Sequence, residues 1–181
     1  MTKEQLHNRV REFLRDAHAQ VREFSDELIN DTLADAVNYL NQIYFLNEVV
    51  VKESSEVVIL PSQLLCVRQV LVNGKPCEVK PRDLLEKGVF VSVGEDLQTL
   101  RVFNAGTNPR VEALVNLALE FDEKFDISPL FMNAIVYYAC AELSQIALRE
   151  NSLNYAASFG KRFEGELLRL NKLFYNAFTG V

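Results

Sequence analysis

The first part of the chain carries two apolar stripes with helical spacing. The first stripe contains Leu6, Val10, Phe13, Leu14, Ala17, Val21 and Phe24. The second stripe contains Leu28, Ile29, Thr32, Leu33, Ala36, Val37, Leu40 and Tyr44. Steps of three and four predict amphipathic helices, the first of them roughly twenty residues long. Ser25 and Asp26 separate the stripes and suit the cap of the second helix.

After Asn47 the spacing changes from helical to strand-like. The segments EVVVKE, EVVILP, LLCVRQVLV, VFVSV and LRVFN are short, rich in β-branched residues and bounded by turn residues. Asn73-Gly74 tolerates the positive φ angles of a two-residue hairpin, and Ser54-Ser55 suggests a second hairpin. We predict a small antiparallel β unit of five or six strands.

The segment RVEALVNLALEF (Arg110–Phe121) fits two structures. As a strand, its odd positions from Val111 to Phe121 form an unbroken apolar face; as a helix, Glu112, Asn116 and Glu120 form one polar stripe. The preceding LRVFN needs a strand partner, and AGTNP suits a turn between the two. We therefore predict a strand with its odd positions in the core. Its second face, which includes Leu114, suits contact with a neighbouring subunit.

Two more helices are predicted near the C-terminus. Ser128-Pro129 is a strong start signal, and the dense apolar positions from Leu130 to Leu148 predict the most buried helix. The apolar positions of the last helix are Ala156, Phe159, Phe163, Leu167, Leu170 and Phe174. Gly160 and Gly165 either weaken that helix or allow close helix contact.

These elements predict an α+β fold in a single domain, 1–181. Two N-terminal helices (1–46) and two C-terminal helices (128–178) would form a bundle-like part, with the small antiparallel β unit (47–122) inserted in the middle. A net charge of -6 argues against a protein that grips a nucleic-acid backbone. The longest apolar stretches approach ten residues, whereas a membrane helix needs about 20. The charged N-terminus does not resemble a signal peptide, so we expect a soluble protein made in a cytoplasm.

The sequence offers little for catalysis or metal binding. His7 and His18 are expected on a helix surface about 16 Å apart, too far to share an ion. The three cysteines form no C-x-x-C pair; Cys66 and Cys140 lie in apolar runs and are expected to be reduced core residues. EFDEKFD (120–126) lacks the ligand spacing of an EF-hand and is expected to be a solvated acidic loop. No nucleophile or phosphate-binding motif is present. We predict no catalytic residue, cofactor or metal site, and no enzyme.

The order of several segments carries a resemblance to a known family. DELINDTLADAVNYLNQI is followed by VVILPSQLLCVRQVLVNGKPCEV, then by RVEALVNLALEF and an acidic loop, and finally by ISPLFMNAIVYYACAELSQIALRENSLNYAASFGKRFEGEL. This succession, from about Asp26 to Leu170, resembles the head-tail adaptor (connector) proteins of tailed bacteriophages, especially the short-tailed kind. The individual motifs are weak, and the resemblance depends on their order.

The resemblance implies a structural virion protein made in the bacterial host cytoplasm. Such adaptors assemble as a ring, commonly of about twelve copies, under the portal protein. The ring extends the DNA channel used in genome ejection and docks tail proteins; DNA passes through without sequence-specific binding, and no cofactor or membrane is involved. The residues predicted to contact partners are Leu114, Tyr155, Phe174, Tyr175 and Phe178. Some family members carry a long C-terminal arm, whereas only about six residues follow the predicted last helix here.

Two other functions remain open. A non-enzymatic accessory module, acting as a monomer or dimer, could bind a peptide as an added strand at an open sheet edge. A small hydrolase with a dispersed active site is the third hypothesis. Tyr39, Phe45, Leu46, Tyr137, Tyr155 and Tyr175 fall at the rim of their helical stripes. They suit either a subunit interface or ordinary rim packing.

Overall fold

The structure is a computed structural model that describes residues 1–15, 23–80, 88–94, 96, 98–147 and 151–179, with 175–179 described by backbone only. Within these residues the fold is α+β, with four α-helices and two small antiparallel sheets. The elements are α1 (Lys3–Leu14), α2 (Asp26–Tyr44), β1 (Glu48–Ser54), β2 (Val57–Ile59), β3 (Leu64–Val72), β4 (Lys75–Cys77), β5 (Phe90–Val93), β6 (Thr99–Phe103), β7 (Arg110–Leu117), α3 (Met132–Ile146) and α4 (Ser152–Thr179).

The chain divides into two compact units. The helical unit comprises Met1–Leu40 and Glu120–Val181, and the β unit comprises Asn41–Leu119. All seven described strands belong to the β unit. The prediction of five or six strands was therefore too low.

The first helix is shorter than its apolar stripe predicted. α1 starts at a capping box formed by Thr2 and Gln5, and it ends at Leu14 because Arg15 adopts the left-handed conformation (φ 56°). The Arg15 N–H then bonds back to the Arg11 and Glu12 carbonyls, as a helix-ending residue commonly does. The predicted stripe residues Ala17 and Val21 lie outside the described residues.

The predicted starts of two later helices are confirmed. The Leu28 N–H donates to Ser25 Oγ at 3.1 Å, so Ser25 caps α2. The Leu130 N–H donates to Ser128 Oγ at 3.3 Å, and Pro129 opens a short 3₁₀ turn that leads into α3. α4 continues to Thr179, so the segment predicted as a tail after the last helix is mostly helical.

Aromatic and aliphatic side chains fill the helical unit. Leu6, Ile29, Leu33, Ile135 and Leu170 are fully buried. Phe13 lies edge-on to Tyr137 with the ring centroids 5.6 Å apart, and Tyr39 stacks obliquely on Tyr138 at 5.4 Å. The rim residues Tyr39 and Tyr137 therefore take part in packing within this unit.

The β unit contains a four-stranded sheet, ordered β1-β7-β3-β4, and a three-stranded sheet, ordered β2-β6-β5. The hairpin predicted at Asn73-Gly74 is confirmed: it joins β3 to β4, with φ angles of 51° and 78°. The hairpin predicted at Ser54-Ser55 is wrong, because β1 pairs with β7 whereas β2 pairs with β6. The chain changes sheet at this turn, so β1 and β2 belong to different sheets.

The same change of sheet occurs before β7. A strand at Arg110–Leu117 is confirmed, but it does not form a hairpin with β6; it lies between β1 and β3. Val111, Ala113 and Val115 are fully buried in a core that both sheets share. The strand ends at Leu117, so Leu119 and Phe121, predicted as core-facing strand residues, lie beyond it.

Gly160 and Gly165 lie within α4, where a glycine can allow another helix to approach closely. A Cβ atom added at either glycine meets nothing within 4 Å, so the close-contact alternative is wrong. We expect Gly160→Ala and Gly165→Ala each to raise the free energy of unfolding by about 0.5–1 kcal/mol, because alanine restricts the unfolded chain and favours the helix. Urea denaturation measures this. Gly74→Ala is the matched control and should destabilise, since its φ is +78°; destabilisation by both helical variants would contradict the expectation.

Asp96 gives the β5–β6 turn a predictable pH dependence. Hydrogen bonds from the Thr99 hydroxyl (2.7 Å) and from the N–H groups of Gln98 and Thr99 lower the pKa of this carboxyl group. A lowered folded-state pKa contributes stability above the unfolded pKa, and this contribution is lost as pH falls through the folded pKa. The melting-temperature difference between the natural chain and Asp96→Asn should therefore be largest at neutral pH and shrink below about pH 4. Thr99→Val should reduce the same pH dependence, and a difference independent of pH would contradict it.

Candidate interaction surface

Leu114 lies on the second face of β7, as predicted. It pairs with Val50 of β1 on one side and with Gln69 of β3 on the other. Leu114 is half-buried, whereas its neighbours Ala113 and Val115 are fully buried on the opposite face. The second face is not open throughout, because Asn116 is also fully buried. Leu114 thus occupies the partly accessible stretch of this face.

The neighbouring strand β1 exposes most of its side chains. Six of its seven residues are exposed, and Val50 retains 49% of its surface. Two ion pairs tie β1 to the rest of its sheet: Glu48 with Arg68 at 2.6 Å, and Lys52 with Glu112 at 3.6 Å. We call Glu48, Val50, Lys52, Arg68, Glu112 and Leu114 the β1 surface.

The sequence predicted β1 as a strand, but none of its residues was predicted to contact a partner. The available signal was the run of three valines between Glu48 and Lys52. Strand alternation places the two charged side chains on the same face as Val50. The position of β1 at the edge of the sheet depends on its pairing with β7. In that pairing Val50 lies opposite Leu114, about sixty residues further along the chain.

In the helical unit, Tyr155 projects from the first turns of α4 and is 56% exposed. It lines a cavity of about 510 Å³ together with Phe13, Phe159 and Arg162. The Arg162 guanidinium lies 5.7 Å from the centre of the Phe159 ring and 5.8 Å from that of Tyr137. Cation–π contacts at such distances favour a fixed arrangement of the Tyr137 and Phe159 rings. Tyr155 is the accessible aromatic residue of the cavity.

The predicted contact residues do not form one cluster in the helical unit. The Phe174 ring stacks against Phe131 at 6.0 Å and is half-buried, so it takes part in packing. Tyr155 and Phe174 lie nineteen positions apart on α4, or about 28 Å along a straight helix. The side chains of Tyr175 and Phe178 lie outside the described residues. Partner contact by these residues stays a prediction.

The expectation of a surface histidine is wrong for His7. Its side chain is only 16% exposed, and Nε2 lies 3.2 Å from Asp26 Oδ1. Arg11 is more deeply buried and bonds both Asp26 Oδ1 (2.6 Å) and the Phe24 carbonyl (2.9 Å). These contacts join the end of α1 to the start of α2. His18 lies outside the described residues.

The acidic run 120–126 is a solvent-facing loop in its charged positions. Glu120, Asp122, Glu123 and Asp126 are exposed. Asp126 accepts a hydrogen bond from the Met1 ammonium, and this bond and the ammonium charge lower its pKa. Across the described ranges, no group of three or more His, Cys, Asp or Glu residues is arranged to hold a metal ion.

The chain matches no protein-family model, and no curated protein matches it significantly. In the part of the chain that the structure describes, none of the helices combines the length and apolar character needed to cross a bilayer.

The cysteines should differ sharply in reactivity. Cys140 is fully buried, and burial raises its pKa to about 12, so roughly one thiol in ten thousand is ionised at pH 8. We expect iodoacetamide to modify the half-buried Cys66 and Cys77 first and to modify Cys140 only in urea. Peptide mass spectrometry at successive times measures this order. Rapid native-state modification of Cys140 would contradict its burial in α3.

Proposed function

We propose that this chain is a head-tail adaptor of a tailed bacteriophage. In this proposal it is a structural virion protein that forms a ring under the portal, extends the DNA channel and docks tail proteins. Its helices would form a bundle-like part and the β unit an insertion between the helix pairs. The order of elements, two helices, seven described strands and two helices, supports the proposal together with the sequence resemblance.

The observation that carries the proposal is the presence of exposed apolar side chains on both compact units. A closed ring uses head-to-tail contacts, in which one face of each subunit meets a different face of its neighbour. Each subunit therefore needs two separate adhesive areas. On the helical unit the large exposed residues are Tyr39, Ile146, Leu153, Tyr155, Leu168 and Leu173. On the β unit they are Ile43, Val49, Val50, Val57, Ile59, Val79 and Val89.

The charge of the chain supports a channel through which DNA slides. Nineteen basic and 25 acidic residues leave a net charge of -6. Tight binding to DNA requires that Lys or Arg neutralise phosphates and release counterions. A ring of acidic subunits neutralises few phosphates, so it would let the duplex pass without holding it.

A second candidate function is favoured by one observation, the open edge of β1. An accessory binding module could receive an extended peptide as an additional strand there. The mostly exposed side chains of β1 leave room for such a peptide. This module would act as a monomer or dimer and would not require a portal.

Assembly on a portal distinguishes the two candidates. We expect the purified chain, mixed with portal rings, to co-elute with them and to form a ring of about twelve copies visible by electron microscopy. Size-exclusion chromatography with light scattering gives the mass of the chain alone and of the complex. A chain that stays monomeric and ignores the portals of short-tailed phages would contradict the adaptor proposal.

Leu114→Asp tests the contribution of the second face of β7. Because Leu114 is half-buried, we expect folding to survive with a loss of about 1 kcal/mol or less, while ring assembly on the portal weakens at least tenfold. Circular dichroism measures folding and co-elution measures assembly.

Two neighbouring changes act as controls for Leu114→Asp. Leu114→Val keeps an apolar strand residue and should retain assembly. Ala113→Asp places a charge in the core and should unfold the chain. If Leu114→Asp also unfolds it, this face belongs to the interior and does not serve assembly.

A further inference from the structure

The two edges of the four-stranded sheet differ in how well they are protected. The β4 edge has three residues, and Pro76 at its centre lacks an N–H donor. The β1 edge has seven residues, EVVVKES, without proline or glycine. Natural proteins usually shorten, bend or charge an edge strand to prevent association with another chain. β1 has the length and the apolar centre of a strand that accepts a partner, with charged residues on either side of that centre.

Among the described residues, the backbone groups of β1 that face no partner strand belong to its even-numbered residues. The Leu117 N–H donates to the Asn47 carbonyl at 3.0 Å, so residue 47 directs its carbonyl towards β7. The register continues without a bulge from Glu48 to Ser54. In an antiparallel pair, successive residues direct their N–H and C=O groups alternately to the two sides. Glu48, Val50 and Lys52 therefore direct theirs away from β7.

We propose that β1 pairs with β1 of a second copy of this chain, antiparallel, about a two-fold axis through Val50. In this register each Val50 lies opposite Val50 of the second copy, and Glu48 lies opposite Lys52 of that copy. The free N–H and C=O groups of the even residues then bond across the axis. The two four-stranded sheets become one sheet of eight strands.

Charge complementarity favours a second copy of the chain as the partner of β1, and it favours the register centred on Val50. Arg68 already neighbours Glu48, and Glu112 already neighbours Lys52, on the same face of the sheet. Pairing about Val50 extends these contacts into a row of alternating sign: Arg68 and Glu48 of one copy, then Lys52 and Glu112 of the other. A two-fold axis through Val51 would instead place Lys52 opposite Val50 and lose this row. Opposite charges directly across strands stabilise a sheet, and like charges destabilise it.

The apolar side chains agree with the same register. Val50, which is 49% exposed, would meet its counterpart at the axis, with Leu114 beside it in each copy. On the other face Val49, which is 39% exposed, would lie opposite Val51 of the second copy. Two-fold pairing thus covers the exposed valines of β1.

The two-fold pair is a different assembly from the proposed ring. It uses one surface of each copy twice, whereas a ring uses two different surfaces of each copy. The inference concerns the chain free of other proteins, and it does not depend on the function proposed above.

Charge exchange provides the first test. We expect light scattering to show a dimer of the natural chain, and Glu48→Lys and Lys52→Glu each to weaken it at least tenfold, because like charges then face each other. A mixture of the two variants should form a heterodimer, since the introduced lysine of one variant would face the introduced glutamate of the other. Lys75→Glu, at the opposite edge of the sheet, should leave dimerisation unchanged.

Several results would overturn the proposal. These are a natural chain that stays monomeric at millimolar concentration, a dimer that survives both single substitutions, and a mixture of the variants that stays monomeric. A free chain that forms only rings would also overturn it, because a ring does not contain the two-fold contact.

Hydrogen exchange provides a second test that does not depend on substitutions. The amide hydrogens of Val50 and Lys52 face no partner strand among the described residues of a single copy. They should therefore exchange quickly in dilute solution and at least tenfold more slowly at dimer-forming concentrations. The amide hydrogens of Val49 and Val51, which face β7, should be protected at both concentrations. Equal exchange of Val50 at all concentrations, with a dimer present, would place the interface elsewhere.

Discussion

Three asparagines in the β unit establish the register on which the sheet depends. Asn41 and Asn116 are fully buried, and the Asn47 N–H lies between their side-chain oxygens, at 3.0 and 3.3 Å. Asn41 Nδ2 donates to the Leu117 carbonyl at 2.7 Å, and Asn116 Nδ2 donates to the Asn41 carbonyl at 2.9 Å. An unpaired buried amide costs about 1–3 kcal/mol. The network is therefore satisfied in one arrangement, which joins the end of α2 to the ends of β1 and β7.

This arrangement has consequences along both strands. Once Asn47 lies opposite Leu117, the register from Glu48 to Ser54 follows. A slip of one residue would turn every side chain to the other face. The network thus places Val111, Ala113 and Val115 in the core, and it places Val50 and Leu114 on the face that carries the ion pairs. The position of the β1 surface therefore follows from polar contacts at one end of the sheet.

The helical unit depends mainly on short-range sequence features, whereas the β unit depends on pairing between distant segments. In the helical unit, periodic apolar positions and short-range caps such as Ser25 and Ser128 are encoded within a few residues. In the β unit, pairing joins segments that are far apart: β1 with β7 and β2 with β6. The chain changes sheet at both Ser54–Ser55 and Ala105–Pro109, and both sheets contribute side chains to one core. Local turn composition indicates where the chain bends but not which strands then pair.

From its sequence alone, the chain determined the α+β class, the starts of α2 and α3, the Asn73-Gly74 hairpin and the alternation within β7. These features depend on periodicity, capping and turn chemistry, all of which act over short distances. Tertiary structure alone decided that Arg15 ends α1, that His7 packs beside Asp26, and that β1 is a sheet edge. Of the β1 surface, only Leu114 was predicted to contact a partner. Its charged and apolar neighbours come together through pairing between distant segments, which no local pattern specifies.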